Sequence, residues 1–296
     1  MKSISLLVLF GATATASLSA QAAESYARPE LLVEPTSLAK LATARPPVIL
    51  DARSRKGYDQ RHLPGALWID AGEWKKLFAD GKDTDAWAKR IGQLGIGADT
   101  TIVVYDDKKG SDAARMWWIL RYWGLTDVRL LNGGWKAWQK AKLPTTDKAT
   151  PSPKPLTFKA RAHAERLAIK SQMLAAIKSQ QWQLVDSRSS KEYCGIDLHG
   201  NKRGGAMPSA KHLDWVDLVD TQTHRFKTPG ELRRLFADAG IDLQRPTAAY
   251  CQSGGRASVM AFAMELMGAG EVRNYYRSWH EWGNADDTPI SKPKTP

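Results

Sequence analysis

The feature that most restricts what this chain can become is that it is written twice. Val48-Ile49-Leu50-Asp51-Ala52-Arg53-Ser54, followed by Tyr58, returns 135 residues later as Gln183-Leu184-Val185-Asp186-Ser187-Arg188-Ser189, followed by Tyr193. Val103-Val104-Tyr105-Asp106 returns as Ala248-Ala249-Tyr250-Cys251 at an offset of 145. Val128-Arg129 with Trp135 and Trp138 returns as Val272-Arg273 with Trp279 and Trp282 at 144. The offset changes between Tyr58 and Pro64, against Tyr193 and Pro208, so the second copy carries 9 extra residues, an inserted loop over Cys194 to Gly205. Two units of about 130 residues each match an ordinary domain size. The Pro-, Thr- and Lys-rich stretch 145–155 reads as the linker. The expected organisation is a first domain over 23–144, a second over 156–290 and a short tail over 291–296.

Within each unit, short apolar runs alternate with helical periodicity. Pro47 to Leu50, Thr101 to Tyr105, Gln183 to Val185 and Thr247 to Tyr250 are bounded by turn residues and read as strands. Ala257 to Met267 reads as a helix, with Val259, Phe262, Ala263 and Leu266 on one apolar face and Gly268 as its stop. Strands alternating with helices predict an α/β fold in which each sheet is mainly parallel and flanked by helices on both faces.

The first residues are read as standing outside that fold. Lys2 precedes an apolar stretch from Ile4 to Phe10, and Ala20-Gln21-Ala22 has the small residues of a cleavage site, so residues 1–22 read as a secretory signal peptide and the mature protein as periplasmic or secreted. The competing reading, a membrane anchor, is disfavoured because the apolar part is shorter than the roughly 20 residues a spanning helix needs. The formal charge of +12 comes from single or paired basic residues with no run of five, which argues against nucleic acid and for a mild field that attracts small anions. Only two cysteines, Cys194 and Cys251, are present, which excludes a disulfide framework and a multi-cysteine zinc site. The six histidines show no ligand spacing, and no metal is expected.

Cys251 stands where chemistry is expected. Ala248-Ala249-Tyr250, then Cys251-Gln252-Ser253-Gly254-Gly255-Arg256, then Ala257 onward reads as strand, tight loop and helix N-terminus, the place where open parallel sheets bind ligands. Gly254 and Gly255 would take positive φ and turn N–H groups inward as an anion cradle. A helix N-terminus stabilises an anion by up to ~2 kcal/mol, roughly 1.5 pKa units. That brings a thiol from ~8.5 to about neutrality before Arg256 acts. A buried structural thiol is the plain alternative, but it leaves the glycines and the arginine unexplained.

These pieces, with His62-Leu63-Pro64-Gly65-Ala66, Leu131-Asn132-Gly133-Gly134-Trp135 and Ser278-Trp279-His280-Glu281-Trp282, resemble the tandem-domain rhodaneses, thiosulfate or 3-mercaptopyruvate sulfurtransferases, over nearly the whole chain. The resemblance implies two tandem rhodanese-like domains and no cofactor. It implies that Cys251 takes sulfane sulfur from a small anionic donor as a persulfide and passes it to a thiophilic acceptor, with Gln252, Ser253, Gly254, Gly255 and Arg256 binding substrate. Arg256 is the candidate for neutralising the donor's oxyanion. Arg188 is a weaker substrate candidate, because Asp51 and Arg53 recur in the half without the cysteine and favour a structural ion pair. A Cys-x4-Arg loop is one residue shorter than the Cys-x5-Arg loop of cysteine phosphatases that resemble the same architecture. Neither the basic loop of many thiosulfate enzymes nor the Cys-Gly-Ser-Gly-Val loop of mercaptopyruvate enzymes is present, and Glu192 stands where a thiosulfate-binding relative carries a basic residue.

Asp106 occupies the cysteine position in the first copy, which is therefore expected to be structural and to wall the second copy's site; an Asp106–Asp107 acid/base pair is the sharper alternative. Trp279 is expected in the core. Cys194 is either an inert thiol or a resolving partner for Cys251. A reading of a different class is a persulfide carrier that delivers sulfur to a partner protein.

Overall fold

The fold is built from strands that are apolar on both sides. In the computed structural model, which describes residues 25–41, 46–78 and 81–295, Ile102–Tyr105 and Thr247–Tyr250 are buried at every position, as parallel strands covered by helices must be. The expected signal peptide lies outside the described residues.

The first unit runs β1 (Leu32–Val33), α1 (Pro35–Lys40), β2 (Val48–Asp51), α2 (Arg55–Gln60), β3 (Leu67–Trp68), α3 (Ala71–Phe78), α4 (Thr84–Gln93), β4 (Ile102–Tyr105), α5 (Ser111–Tyr122), β5 (Val128–Leu131) and α6 (Gly134–Lys140). The second runs α7 (Lys170–Ser179), β6 (Gln183–Asp186), α8 (Ser190–Tyr193), β7 (Lys211–His212), α9 (Pro229–Asp238), β8 (Thr247–Tyr250), α10 (Gly255–Leu266), β9 (Val272–Asn274) and α11 (Ser278–Trp282). The sheets are ordered β1-β5-β4-β2-β3 and β7-β6-β8-β9, with every named pairing parallel.

The repeat holds at the level of register. Asp51 pairs with Tyr105 across β2 and β4, and Asp186 with Tyr250 across β6 and β8. In each unit the arginine two residues on grips that aspartate: Arg53 Nε lies 3.0 Å and Arg188 Nε 2.9 Å from the carboxylate, and the ring of Trp135 or Trp279 lies 4.0 or 4.1 Å from the guanidinium carbon. A buried carboxylate without that partner would carry the full cost of desolvation.

The two units share one core. α5 and α10 lie against each other, with Trp117 edge-on to Phe262 at 5.0 Å between ring centroids. This explains a departure from the sequence pattern: α10 shows no solvent face, because Met260, Ala261 and Met264 are as buried as Val259 and Phe262. Its second face is covered by the other unit. Its acidic residue, Glu265, is paired with Arg28 and Arg166.

The connection between units extends past the expected linker. Leu156 N–H donates to Gly92 O, Arg161 N–H to Trp123 O and His163 N–H to Tyr122 O, so residues 156–163 lie along the first unit rather than opening the second. Residues 26–28 cross the other way: Arg28 N–H donates to Leu266 O and Tyr26 Oη–H to Lys227 O. At the far end, Ser291 pairs with Ala206 through both backbone groups, so the tail begins as part of the second unit. Among the described residues no helix is long and apolar enough to cross a membrane.

Candidate active site

β8 delivers Cys251 to the carboxyl edge of the second sheet, and the loop turns there into α10. Gly254 takes φ +82 and lies so close to Tyr276 that an added Cβ would stand 2.7 Å from the ring. Gly255, expected to share that conformation, does not take positive φ. It makes room for a neighbour instead, since a Cβ would stand 2.4 Å from Arg115 Nη2 of the first unit and push that guanidinium aside.

Cys251 is 1% exposed. Burial alone pushes its thiol up, yet Arg256, the N–H groups of Ala257 and Ser253, and Arg115 together outweigh it and hold the pKa below the ordinary value. Cys251 N–H donates to Ser278 Oγ at 3.0 Å, and Ser278 Oγ–H donates to Tyr275 O at 2.6 Å. Ser278 Oγ also lies 3.9 Å from the sulfur. Ser278 takes φ +55 where the first unit has Gly134 at +51, so the nucleophile's unit accepts backbone strain to keep a hydroxyl there.

The first unit shows what the loop is for. Asp106, at the cysteine position, turns its carboxylate into its own loop and accepts N–H bonds from Lys108, Gly110, Asp112 and Ala113 at 2.8–2.9 Å. Lys108 and Asp112 match Ser253 and Ala257 at the same offset of 145. Both loops are therefore anion cradles, one filled by a fixed carboxylate and the other open to a thiolate. Burial raises Asp106 to about 6 even against those donors. Asp107 is exposed while Asp106 is buried, so no acid/base pair forms.

Several predicted site residues are engaged with the protein. Arg256, expected to meet the donor's oxyanion, instead donates two bonds to Glu192, at 2.6 and 2.8 Å. The pair is nearly neutral: burial pushes Glu192 up, but Arg256 and Ser189 hold it down at about 2. Arg188 is 1% exposed, bound to Asp186 and Gly205 O and covered by Trp279, which accounts for it as structure rather than as a substrate ligand. Gln252 exchanges amide hydrogen bonds with Asn201 of the inserted loop, both at 3.1 Å, and Asn284 donates to the same Asn201 oxygen at 2.9 Å. Ser253 turns its N–H toward Cys251 while its carbonyl accepts from Arg115 Nη1 at 2.7 Å. Cys194 and Cys251 are both free thiols, and Trp279 is 1% exposed, in the core as expected.

Sequence reasoning missed Arg115, Lys75, Asn201 and Ser278. Ser278 carried a signal, as the hydroxyl residue standing in the place of a repeat glycine. Arg115 and Lys75 carried none, because they reach the site from the other unit. Lys75 lines an open cavity of about 430 Å³ together with Ser253, Tyr276, Arg277 and His280. Among the described residues no cluster of three or more His, Cys, Asp or Glu side chains is placed to hold a metal ion.

Comparison with known proteins follows the same division. The family description "Rhodanese-like domain" matches twice, at residues 34–141 and 170–285. A thiosulfate sulfurtransferase of Corynebacterium glutamicum is 37% identical over 283 residues, covering 90% of this chain and 92% of the relative. The sulfur carrier protein TtuD of Thermus thermophilus is 36% identical over 249 residues, 79% of this chain and 87% of the relative. The crystal structure of SseA from Escherichia coli, described with the rhodanese fold of 3-mercaptopyruvate sulfotransferases, superposes with a TM-score of 0.74 at 25% identity, covering 84% of this chain and 98% of that one.

Proposed function

The chain belongs to the family of rhodanese-like domains, and on that premise we propose that it moves the sulfane sulfur of thiosulfate through a persulfide on Cys251. It is a sulfurtransferase. The observation that carries the proposal is the buried thiol held below its ordinary pKa inside a cradle of N–H groups. In the first step the Cys251 thiolate attacks the outer sulfur of the donor. A new S–S bond forms at Sγ, the donor's own S–S bond breaks, and its electron pair leaves on sulfite. The persulfide's terminal anion is then the charge for the N–H groups of Ser253 and Ala257 to hold. In the second step a nucleophile such as cyanide bonds to that terminal sulfur, and the pair of the breaking bond returns to Cys251 as thiolate, releasing thiocyanate.

The test is release of sulfite and thiocyanate from thiosulfate and cyanide by wild type beside Cys251→Ser, with 3-mercaptopyruvate as a competing donor. Turnover with thiosulfate that vanishes in the variant supports the proposal. Turnover with mercaptopyruvate alone replaces the donor. The relative named a sulfur carrier supports a second reading, persulfide delivery to a protein. A Cys251 persulfide that is stable to cyanide but released to a protein thiol would establish that reading instead. We also propose export to the periplasm or beyond, supported by the signal-like residues 1–22; N-terminal sequencing of protein from the cell envelope checks it.

A further inference from the structure

A dianionic donor approaching a thiolate needs a cation that is free to receive it. The cations nearest the loop are largely committed. Arg256 is bonded twice to Glu192, and Arg188 to Asp186. Arg277 lies 3.7 Å from Glu281. Arg115 spends Nη1 on Ser253 O at 2.7 Å and on Tyr276 Oη at 3.0 Å, where it fixes the loop from behind. The remaining cation on the cavity wall is Lys75, for which no hydrogen bond or ion pair with a described residue is seen, and Asp112, an acid that bears on its charge, is held by Lys108 Nζ at 2.9 Å.

Lys75 is set there by a rigid support. It lies on α3, whose Trp74 and Phe78 are 3% and 0% exposed, and Phe78 packs on the ring of Tyr276 at 4.8 Å between centroids. Tyr276 is the residue against which Gly254 turns and to which Arg115 donates. The helix that carries Lys75 is thus keyed to the same side chain that shapes the nucleophile loop. Burial and the neighbouring Arg115 push the Lys75 ammonium down, while the charge of Cys251 pulls it back up, so lysine and sulfur lie within each other's field. An anion placed between them would offset the repulsion of Lys75 by Arg115, and the attraction of Lys75 would offset the anion's repulsion from the thiolate.

We infer that Lys75, supplied by the unit without a nucleophile, receives the anionic end of the electrophile that reaches Cys251. This rests on the sulfur-transfer reading for the identity of the electrophile, but not for the role of the lysine. It also gives the first unit a substrate-binding part, and it explains how Glu192 can neutralise Arg256 in a site for anions.

Two measurements on Lys75→Ala, Lys75→Glu and Lys75→Arg separate these claims. In steady-state turnover of thiosulfate, KM rises about tenfold in Lys75→Ala, the loss of one charge-assisted bond, and further in Lys75→Glu. Lys75→Arg stays near wild type, and kcat changes little. In the second measurement, Cys251 is alkylated with iodoacetate, an anion, and with neutral iodoacetamide, and modification is read by mass spectrometry. The iodoacetate-to-iodoacetamide rate ratio falls about tenfold in Lys75→Ala and further in Lys75→Glu, while the iodoacetamide rate, which follows the thiolate fraction alone, falls much less, showing an intact site. An unchanged ratio and an unchanged KM in both Lys75→Ala and Lys75→Glu overturn the inference. If wild type does not turn over thiosulfate but the alkylation ratio still depends on Lys75, the donor assignment falls and the role of the lysine stands.

Discussion

Glu192 sets how much positive charge the nucleophile loop presents, and it does so at a cost that pH can expose. Its carboxyl is held at about 2, with burial opposing and Arg256 outweighing it, against an ordinary value of 4.5. A carboxyl depressed in the folded state lends stability above 4.5 and loses it as pH falls from there toward about 2. Glu192→Gln is expected to lower stability at neutral pH by about 2 kcal/mol, through the weakened pair with Arg256. It should also flatten the stability profile across that acid window, as followed by urea denaturation at successive pH values. The cysteine, its loop and Arg256 were legible because they are contiguous in the chain. Glu192 as the arginine's partner was not, since the two are separated by 64 residues. Side chains that meet across such distances are chosen by the packing of elements, and a local pattern holds no record of that packing.

At the scale of elements, the repeat made the four strands β2, β4, β6 and β8 readable to within a residue at each end, and the helix read over Ala257 to Met267 lies within two residues of α10. Where two copies differed, the difference located something the site uses. The inserted loop is the clearest case: it appears only in the copy with the nucleophile, and its Asn201 clasps Gln252, the next residue along. Its length was legible, and its purpose required the fold. Asn201→Ala is expected to lower kcat for sulfur transfer about tenfold with less effect on KM, because it unfixes the residue beside the sulfur without removing a cation. Steady-state kinetics with thiosulfate and cyanide checks this. α10 shows the opposite limit, since one apolar face was visible in its periodicity while its other face is buried by α5, an element whose relation to it no spacing encodes.

In the whole molecule, two units that look separable by sequence are joined through their centres. Trp117 and Phe262 meet edge to face, and Phe78, Trp118 and Tyr276 continue the contact toward the active site. Trp117→Ala should therefore cost about 3–5 kcal/mol. Because the core is continuous, that loss should shift one common unfolding transition, with tryptophan fluorescence and far-ultraviolet circular dichroism remaining coincident. Two separated transitions would show that the units unfold alone. The strap at residues 26–28 adds a constraint of another kind. Arg28 reaches Leu266 and Glu265, 237 residues away from the latter, so among the described residues some of the first to leave the ribosome wait for a seat built by some of the last. A half-made chain can gather its first sheet, but its opening segment stays undocked until the final helices emerge. The protein is closed only by its own completion.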